Sequence, residues 1–548
     1  MKRDTILQAG IIVLFAAIFL LVGPGNFLDK RITHPYPYNI LSSDAAGELA
    51  YVTALKDEGT YRIIPSYLCA GFPGCIAFLP SLSQHLLASF SIMSGLEAYQ
   101  VNLFLVSLFL LAASLMAFVL ISKWNQKVAY LSLPLMLFAF QPQFRVGLMW
   151  GYYDVIIAAG FVLLAAYLLP EPEKGKTWIL LSVLLAASFV AHVSEILYIG
   201  VIYLFYYALK WIKAKSIGKE DILFFAKTGA LTFVLIAYYA VLFFTLFPSS
   251  GIFTAKQTPQ WYDPVIQNFQ FLSAGNPIIK YIPLILIGIG IIIAILQLRP
   301  HSIPLMLGFA MILLGLDLRL SFLRIFQVRY LWPISLAVFS GLTLYFLLKI
   351  MKAKNMIIYG GVSALLLVAV GYATFVPSGN PGMINQNHWD AFRWISSNTE
   401  QDAEITVLHG EPYSQDALLW NTKRKVNRIP ENEIIEHINR NNNTKYFFGY
   451  APGPSDVQYA YWTGFLKAGR YAIENATQLS GQRNICLADY VIFDKAAMIP
   501  QLAEFNIFVA NQLLANQSFS IAYQNDEVAI IRNMRFYPDC IEEGTING

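Results

Sequence analysis

Long apolar runs separated by short polar segments make up most of the chain as far as Phe375. Several runs reach the roughly 20 residues that a helix needs to cross a bilayer, and others are shorter. Eleven runs predict membrane-spanning helices: Ile6–Val22, Val101–Ile121, Val128–Phe140, Val146–Leu169, Thr177–Ala191, Glu195–Leu209, Ile222–Phe247, Ile278–Leu298, Ile303–Leu316, Tyr330–Leu348 and Met356–Phe375. Over Thr177–Leu209 the pattern leaves two interpretations open, either one long tilted helix or two short helices.

Positive charge lies between the runs and decides this question. The basic residues are Lys2, Arg3, Lys123, Lys127, Lys174, Lys176, Lys210, Lys213, Lys215, Lys219, Arg299, Lys349, Lys352 and Lys354. Cytoplasmic loops of membrane proteins are enriched in lysine and arginine. If all of these residues face the cytoplasm, two crossings must separate neighbouring basic loops, so the chain must turn near His192–Glu195. A cytoplasmic N-terminus then places the loop 24–97 and everything after Pro377 outside.

Composition agrees with a polytopic α-helical membrane protein. The chain has 548 residues, of which 56% are hydrophobic, 15% aromatic and only 13% charged, which is too apolar for an ordinary soluble fold. The net charge of +4 comes mainly from the loop lysines and arginines, so it does not indicate nucleic-acid binding. The first run lacks a small-residue cleavage site, which favours an anchor retained in the cell membrane over a signal peptide.

The segment 377–548 differs in pattern from the membrane domain 1–376 and predicts a soluble, extracytoplasmic α/β domain. Apolar residues at helical spacing in Trp389–Ile395 indicate a helix. Phe519–Tyr523 and Glu527–Ile531 predict a β-hairpin. Further strands are predicted at Glu404–Leu408, Lys445–Tyr450 and Tyr490–Phe493, with helices at Glu431–Asn439 and Ala496–Ala515.

The cysteines support the predicted sidedness. All four, Cys69, Cys75, Cys486 and Cys540, fall in segments assigned to the outside. An even number confined to the oxidising side predicts two disulfides. Pairing of Cys69 with Cys75 and of Cys486 with Cys540 is the natural connectivity, and the sequence leaves other pairings open.

Two acidic residues open the outer loop. Asp44 and Glu48 are four residues apart, so a helix places both carboxylates on one face. Ser43 or Asp44 is a suitable cap for a helix that runs to about Glu58 and stops at Gly59, and its apolar face suits the membrane surface. A second helix is predicted at Leu82–Met93. Two interpretations stay open: chemistry on a lipid-carried substrate, or an N-cap followed by a solvated first-turn acid.

These features resemble the glycosyltransferase C (GT-C) superfamily, which includes protein O-mannosyltransferases, lipid A aminoarabinose transferases and oligosaccharyltransferases. The resemblance lies in a first span, an acidic outer loop, many short-linked spans and an outer α/β tail. Its motifs are Ser43-Asp44-Ala45-Ala46-Gly47-Glu48, Leu55-Lys56-Asp57-Glu58-Gly59-Thr60-Tyr61, Gly71-Phe72-Pro73, Arg329-Tyr330 and Trp394-Ile395. It implies sugar transfer from a polyprenyl-phosphate or -diphosphate donor to a lipid, glycan or protein acceptor on the outer face.

The resemblance also implies roles for the loop acids. The acid of this loop acts in the family as a general base or a metal ligand, and Asp44 occupies its position. Glu48 would be the second ligand of a divalent cation such as Mg or Mn, since hard cations favour carboxylate oxygens. Two acids are too few to decide whether a metal is needed.

Three arginines, Arg319, Arg324 and Arg329, occupy the outer link before the span at Tyr330. Their position runs against the positive-inside trend, and arginine suits bidentate contact with phosphate oxygens. They are therefore candidates for binding the donor phosphate, with Arg329 the strongest. The alternative is structural pairing with Asp317 or contact with lipid headgroups.

Further ionisable residues are predicted at outer helix ends, namely Asp154, Arg145, His192 and Glu195. A carboxylate within a span is a candidate functional group. The structural alternatives are a helix-end salt bridge between Asp154 and Arg145, and a His192 side chain satisfied by backbone groups.

This distribution favours an enzyme over a carrier. A secondary transporter would show related halves, interrupted helices and charges near the midplane, and the sequence shows none of these. Oligosaccharyltransferase-like transfer of a lipid-linked glycan is one alternative, although the usual Trp-Trp-Asp-Tyr-Gly motif is missing. A non-enzymatic flippase or assembly protein is another. The sequence leaves the sugar and the acceptor open.

Overall fold

The structure, a computed structural model, describes residues 3–23, 35–37, 43–59, 76–77, 82–140, 153–169, 176–192, 195–246, 277–297, 331–375, 384–407, 422–428, 471–472, 488–495, 500–515 and 517–534. The helices within these ranges are α1 (Arg3–Val22), α2 (Ser43–Glu58), α3 (Leu82–Ser94), α4 (Ala98–Trp124), α5 (Gln126–Ser132), α6 (Tyr153–Leu168), α7 (Thr177–Ala191), α8 (Glu195–Ala214), α9 (Lys219–Leu246), α10 (Pro277–Leu296), α11 (Leu331–Ile350), α12 (Met356–Thr374), α13 (Gln386–Asn398) and α14 (Pro500–Ala515). A 3₁₀ segment, Leu133–Phe140, continues α5.

Within the described ranges, four helical stretches are long and apolar enough to cross a membrane: Thr5–Val22, Ala98–Trp124, Lys219–Tyr239 and Met356–Thr374. Six shorter apolar stretches coincide with six more of the predicted spans: Gln126–Phe140, Tyr153–Leu168, Thr177–Ala191, Tyr198–Ile212, Ile285–Leu296 and Leu336–Ile350. The predicted span Ile303–Leu316 lies outside the described residues. These helices are those of a polytopic membrane protein.

The turn predicted within Thr177–Leu209 is confirmed. Helix α7 ends at Ala191, His192 is its C-cap in an extended backbone conformation, and α8 begins at Glu195. The apolar run is therefore two helices and not one long tilted helix.

Several lysines gather at one end of the helical bundle, which we call the basic end. Lys123 Nζ lies 3.3 Å from the backbone oxygen of Tyr167, which joins the last turn of α4 to the end of α6. Lys127 Nζ lies 3.4 Å from the backbone oxygen of Lys354, which joins the start of α5 to the start of α12. The first residues of α4 and α6 consequently lie at the other end, which we call the site end.

Helices α10 and α11 depart from the predicted threading. Thr343 Oγ1 donates to the backbone oxygen of Leu286 over 2.6 Å, and Gly290 packs directly on the backbone of Phe339. As the chain advances along α10 from Leu286 to Gly290, its contact on α11 moves back from Thr343 to Phe339. The two helices are therefore antiparallel. The predicted threading, in which these two helices cross in the same direction, is wrong; Arg299 and Ile303–Leu316, on which it depended, lie outside the described residues.

The C-terminal part contains a five-stranded sheet in the order β3-β2-β5-β7-β6, formed by β2 (Glu404–Val407), β3 (Lys425–Arg428), β5 (Tyr490–Asp494), β6 (Phe519–Gln524) and β7 (Val528–Asn533). Strand β2 pairs in parallel with β3 and β5, whereas β7 is antiparallel to β5 and β6. The predicted hairpin, the strands near 404 and 490 and the helix around Trp389 are confirmed. The elements predicted at Lys445–Tyr450 and Glu431–Asn439 lie outside the described residues.

This sheet domain packs on the site end of the bundle. The rings of Tyr99, in the first turn of α4, and Trp389, in α13, meet edge to face with centroids 5.7 Å apart. The Lys423 ammonium pairs with the Asp57 carboxylate near the end of α2. In addition, the short strand β1 (Ile76–Ala77) pairs with β4 (Tyr471–Ala472), which joins the loop 24–97 to the C-terminal part. The boundary predicted at 376/377 falls between described residues and stays a prediction.

Candidate functional site

Helix α2 forms and ends as its sequence predicts. It spans Ser43–Glu58, and Gly59 takes a φ of +66° while its N–H donates to the Leu55 oxygen over 3.0 Å. A positive φ is accessible to glycine without steric cost, which explains the stop at this residue. The apolar residues Leu49, Val52 and Leu55 are buried, and α2 packs on α3 and α4. This face is therefore covered by protein and does not lie on the membrane surface.

Glu48 is the first functional residue that this packing places. Its side chain is only 5% exposed, and its Oε2 accepts a hydrogen bond from Nε2 of Gln84 in α3. The interpretation of Glu48 as a solvated first-turn acid is therefore wrong. Asp44 lies in the first turn of α2, one turn before Glu48, and its side chain lies outside the described part of the structure.

Gln84 also reaches Asp154 at the start of α6. Gln84 Nε2 lies 3.4 and 3.5 Å from the two carboxylate oxygens of Asp154, and the Ser83 hydroxyl contacts Asp154 Oδ1. Asp154 is 8% exposed, Gln84 1% and Ser83 0%. Two carboxylates from helices far apart in sequence thus meet around one buried amide. We call Glu48, Ser83, Gln84 and Asp154 the carboxylate–amide cluster.

A second polar pair borders this cluster. Tyr153 precedes Asp154 on α6, and its hydroxyl forms a hydrogen bond with the side chain of Asn102 on α4. Both side chains are buried. Asn102 Oδ1 is buried and accepts no hydrogen bond from the described residues. A polar layer therefore crosses α2, α3, α4 and α6 near the site end.

His192 and Glu195 form a contact of their own in the turn between α7 and α8. His192 Nδ1 is hydrogen-bonded to Glu195 Oε2, and Glu195 is 1% exposed. The preceding residue, Ala191, belongs to an apolar cluster with Ile157 and Ala158 of α6, against which Leu82 and Leu86 of α3 pack. The pair consequently lies at the same end of the bundle as Asp154. The Nδ1 atom of His192 is therefore held by the Glu195 carboxylate.

The remaining candidates lie outside the described residues. They are Arg145, Arg319, Arg324, Arg329, Cys69, Cys75, Cys486 and Cys540. Their predicted roles, including the two disulfides, stay predictions.

Sequence reasoning missed Ser83, Gln84, Asn102 and Tyr153. The available signal was weak: each is an uncharged polar residue within an apolar helical segment, next to a predicted outer helix end. Serine, glutamine and asparagine are also common on solvated faces, so composition alone does not distinguish a buried amide from a surface one.

The described residues offer a divalent cation an incomplete set of ligands. No group of three His, Cys, Asp or Glu side chains converges among them. Glu48 and Asp154 provide two carboxylates of the hard-oxygen type that such ions prefer, and the Gln84 amide lies between them.

Comparison with known proteins identifies similar structures. No protein-family model and no curated protein sequence matches the chain. The crystal structure of ArnT from Cupriavidus metallidurans bound to undecaprenyl phosphate aligns with a TM-score of 0.58 and 11% identity, covering 96% of this chain and 98% of that one. Archaeal AglB from Archaeoglobus fulgidus, in complex with an inhibitory peptide and a dolichol-phosphate, aligns with a TM-score of 0.55 and 13% identity, covering 94% and 73%.

A third similar structure is much longer than this chain. The arabinofuranosyltransferase AftD from Mycobacteria aligns with a TM-score of 0.55 and 12% identity over 96% of this chain but only 40% of its own. At such low identities, these alignments establish a common fold.

Proposed function

We propose that this chain, which has the fold of the glycosyltransferase C superfamily, is a membrane glycosyltransferase that uses a polyprenyl-phosphate or -diphosphate sugar donor. The observation that carries the proposal is the burial of two carboxylates, Glu48 and Asp154, around Gln84 at the site end of the bundle. The structures of ArnT with undecaprenyl phosphate and of AglB with a dolichol-phosphate support this donor class. The acceptor is a lipid, glycan or protein on the outer face of the membrane.

The proposed reaction moves one glycosyl group. An acceptor oxygen attacks the anomeric carbon, the bond between that carbon and the phosphate oxygen breaks, and the polyprenyl phosphate leaves with the bonding electrons. A carboxylate takes the acceptor proton, a role that contributes about 10²–10⁴-fold when the base is within hydrogen-bonding distance. We assign this role to Asp44, because it is the acid that matches the loop acid in the resemblance to the GT-C superfamily. In this proposal, the carboxylates of Glu48 and Asp154 set the electrostatic potential around Asp44.

Negative charge grows on the departing phosphate and calls for fixed cations. We assign these to Arg329, with Arg324 and Arg319 in support. Helix α11 begins at Leu331, and its other end lies at the basic end of the bundle, near Lys354 and Lys127. Arg329 precedes Leu331 by two residues, which supports a location at the site end.

A divalent cation is the proposed cofactor. AglB was also solved in complex with Zn and sulfate, at a TM-score of 0.54 and 13% identity to this chain. Glu48, Asp154 and Asp44 are the residues that would hold such an ion. It would neutralise charge on the donor phosphate. Pre-treatment with a chelator, followed by re-addition of Mg or Mn, separates this role from that of the protein residues.

The test is transfer from a radiolabelled polyprenyl-phosphate sugar by the purified protein. Asp44→Asn, Glu48→Gln and Asp154→Asn are each expected to lower the transfer rate by about 10²-fold or more, because each removes a charge from the reacting site. Asp390→Asn is the matched control, since Asp390 is exposed on α13 and accepts a hydrogen bond from Gln386, one turn earlier on the same helix. Wild-type rates in Asp44→Asn would remove Asp44 from the mechanism.

The same assay decides between the alternatives. Likeness to AglB keeps oligosaccharyltransferase-like transfer as a second candidate, which predicts that a whole glycan leaves a lipid donor. A flippase would move the intact lipid-linked sugar without breaking the glycosidic bond. Chromatography of the labelled products distinguishes a glycosylated acceptor, a transferred oligosaccharide and an unchanged donor.

A further inference from the structure

Lys227 is a charged residue on the surface of a helix that is long and apolar enough to cross the membrane. It belongs to the stretch Lys219–Tyr239 of α9, and its side chain is exposed. It lies just over two helical turns beyond Lys219, which is about 12 Å along the helix axis. A charge within a span is costly in hydrocarbon, and such residues pair with a polar group.

The face of α9 that carries Lys227 is apolar on both sides of it. Leu223, one turn before Lys227, is 48% exposed, and Val234, two turns after it, is 67% exposed. Residues at these spacings share one face of a helix. Exposed apolar residues of a membrane span face lipid, so the Lys227 ammonium lies at a lipid-facing surface.

The described residues give Lys227 an aromatic ring but no carboxylate. Its Nζ lies 6.0 Å from the centroid of the Trp178 ring, in the first turn of α7. The acids of α9 are Glu220 and Asp221 in its first turn, about two turns from Lys227. The Asp221 carboxylate is bound by the Lys210 ammonium at 2.8 Å. A counter-ion for Lys227 therefore has to come from outside these residues.

Packing of α7 on α9 fixes the two side chains relative to each other. Ser182 Oγ, one turn after Trp178, lies 3.1 Å from the backbone oxygen of Thr228, the residue that follows Lys227. A second cation lies at the start of α7, because Lys176 is its N-cap residue and is exposed. Two lysines and an indole thus lie at the basic end, and both residue types are common where a membrane protein meets lipid headgroups.

Other lysines of the basic end are already bound to oxygen atoms of the protein. Lys123 and Lys127 lie 3.3 and 3.4 Å from backbone oxygens, and Lys210 pairs with Asp221. Lys227 differs from them because its described contact is the Trp178 ring.

We propose that Lys176, Trp178 and Lys227 form a binding site for the headgroup phosphate of an anionic phospholipid. The phosphate neutralises the lysines, and the acyl chains lie along the exposed face of α9 that carries Val234. The site is at the opposite end of the bundle from the carboxylate–amide cluster, so it does not depend on the proposed function.

The first test measures lipid contact at Trp178 in vesicles. The full chain is reconstituted in phosphatidylcholine with a minor share of phosphatidylglycerol, and the acyl chains of one of the two lipids carry bromine, which quenches tryptophan on contact. Subtracting the fluorescence of Trp178→Phe isolates the signal of Trp178. Phosphatidylglycerol is expected to be enriched there about fivefold over its share of the bilayer, the contribution of one lysine near an anionic lipid surface.

Three variants at lysine positions assign the enrichment. Lys227→Gln should reduce it to near the bulk share, and Lys227→Arg should keep it because the charge is kept. Lys349→Gln is the matched control, since Lys349 is exposed and its Nζ lies 5.6 Å from the Phe346 ring, but in the last turn of α11. Full enrichment in Lys227→Gln, or an equal loss in Lys349→Gln, would overturn the proposal. Melting temperatures equal to that of the wild type show that the variants are folded.

A competition experiment distinguishes a lipid headgroup from a free anion. Inorganic phosphate, added at constant ionic strength, should leave the quenching by phosphatidylglycerol unchanged, because the acyl chains also hold the lipid. Displacement of the lipid by inorganic phosphate would assign the site to a free anion and contradict the proposal. Equal quenching by phosphatidylcholine and phosphatidylglycerol at equal shares would show lipid contact without headgroup selection, which also contradicts it.

Discussion

At the scale of single residues, Arg424 illustrates how one buried cation organises a helix end. Its guanidinium is 6% exposed and donates from Nη2 to the backbone oxygens of Ser396 at 3.1 Å and Thr399 at 2.9 Å. Nη1 donates to the Thr422 oxygen over 3.0 Å. The carbonyls of Ser396 and Thr399 lie at the C-terminus of α13, and that of Thr422 lies just before β3. The last carbonyl oxygens of a helix have no intrahelical donors, and the negative end of the helix dipole favours a cation.

Replacing this residue should destabilise the C-terminal domain. Arg424→Met is expected to cost about 2 kcal/mol, because it leaves buried carbonyl oxygens without donors. Thermal unfolding of the full chain in detergent measures the effect. Arg532→Met is the control, since Arg532 is 49% exposed on β7 and pairs only loosely with Glu400 at 3.8 Å. Equal melting temperatures for the two variants would contradict the capping role.

The side-chain contacts of single residues were also the feature that the sequence predicted least well. The spacing of Asp44 and Glu48 placed them on one helical face, but no local pattern shows what covers that face. Glu48 is buried because α3 lies against it, and α3 contributes a neutral glutamine that charge-based reasoning overlooks. Long-range contacts between short amphipathic helices depend on packing that a single sequence does not encode locally.

At the scale of elements, close helix contacts in the bundle depend on small residues. Gly290 on α10 packs directly on the backbone of Phe339 in α11, so an added Cβ would overlap that carbonyl. Gly288, on the same helix, has nothing within 4 Å of its Cβ position. Small residues allow such close approach of helix backbones in membranes.

These two glycines give a paired prediction. Gly290→Ala is expected to lower stability by about 1–3 kcal/mol, the usual cost of overpacking. Gly288→Ala should leave stability unchanged or raise it by up to about 1 kcal/mol, since alanine is the better helix former. Melting temperatures in one detergent compare them. A lower value for Gly288→Ala than for Gly290→Ala would contradict the observed α10–α11 contact.

The elements themselves were largely predictable, whereas one packing direction was not. Apolar runs located the spans, and the lysines on both sides of Thr177–Leu209 located its turn. Between α10 and α11 the predicted direction depended on Arg299 facing the same side as the lysines that follow α11. The enrichment of lysine and arginine in cytoplasmic loops is weak evidence when a link contributes a single basic residue. The contacts between the two helices show that α10 runs opposite to the predicted direction relative to α11.

At the scale of the whole molecule, the loop 24–97 and the C-terminal domain meet at one end of the bundle. Their contacts are the Tyr99–Trp389 ring pair, the Lys423–Asp57 ion pair and the β1–β4 pairing. Glu48 and Asp57 belong to the same helix, so the domain packs on the element that carries a site carboxylate.

This arrangement predicts a specific chemical cross-link. A carbodiimide joins an ammonium directly to a carboxylate that it contacts, so the unmodified full chain should yield a Lys423–Asp57 amide detectable by mass spectrometry. Both side chains are about a third exposed and therefore accessible to the reagent, at 39% and 34%. Lys423→Arg keeps the charge but lacks a reactive amine, and should abolish the product. The exposed carboxylate of Asp390 on α13, coupled by the same reagent to an added small amine, is the internal positive control. A sample in which Asp390 is coupled but no Lys423–Asp57 amide forms would show that the domain does not dock on α2.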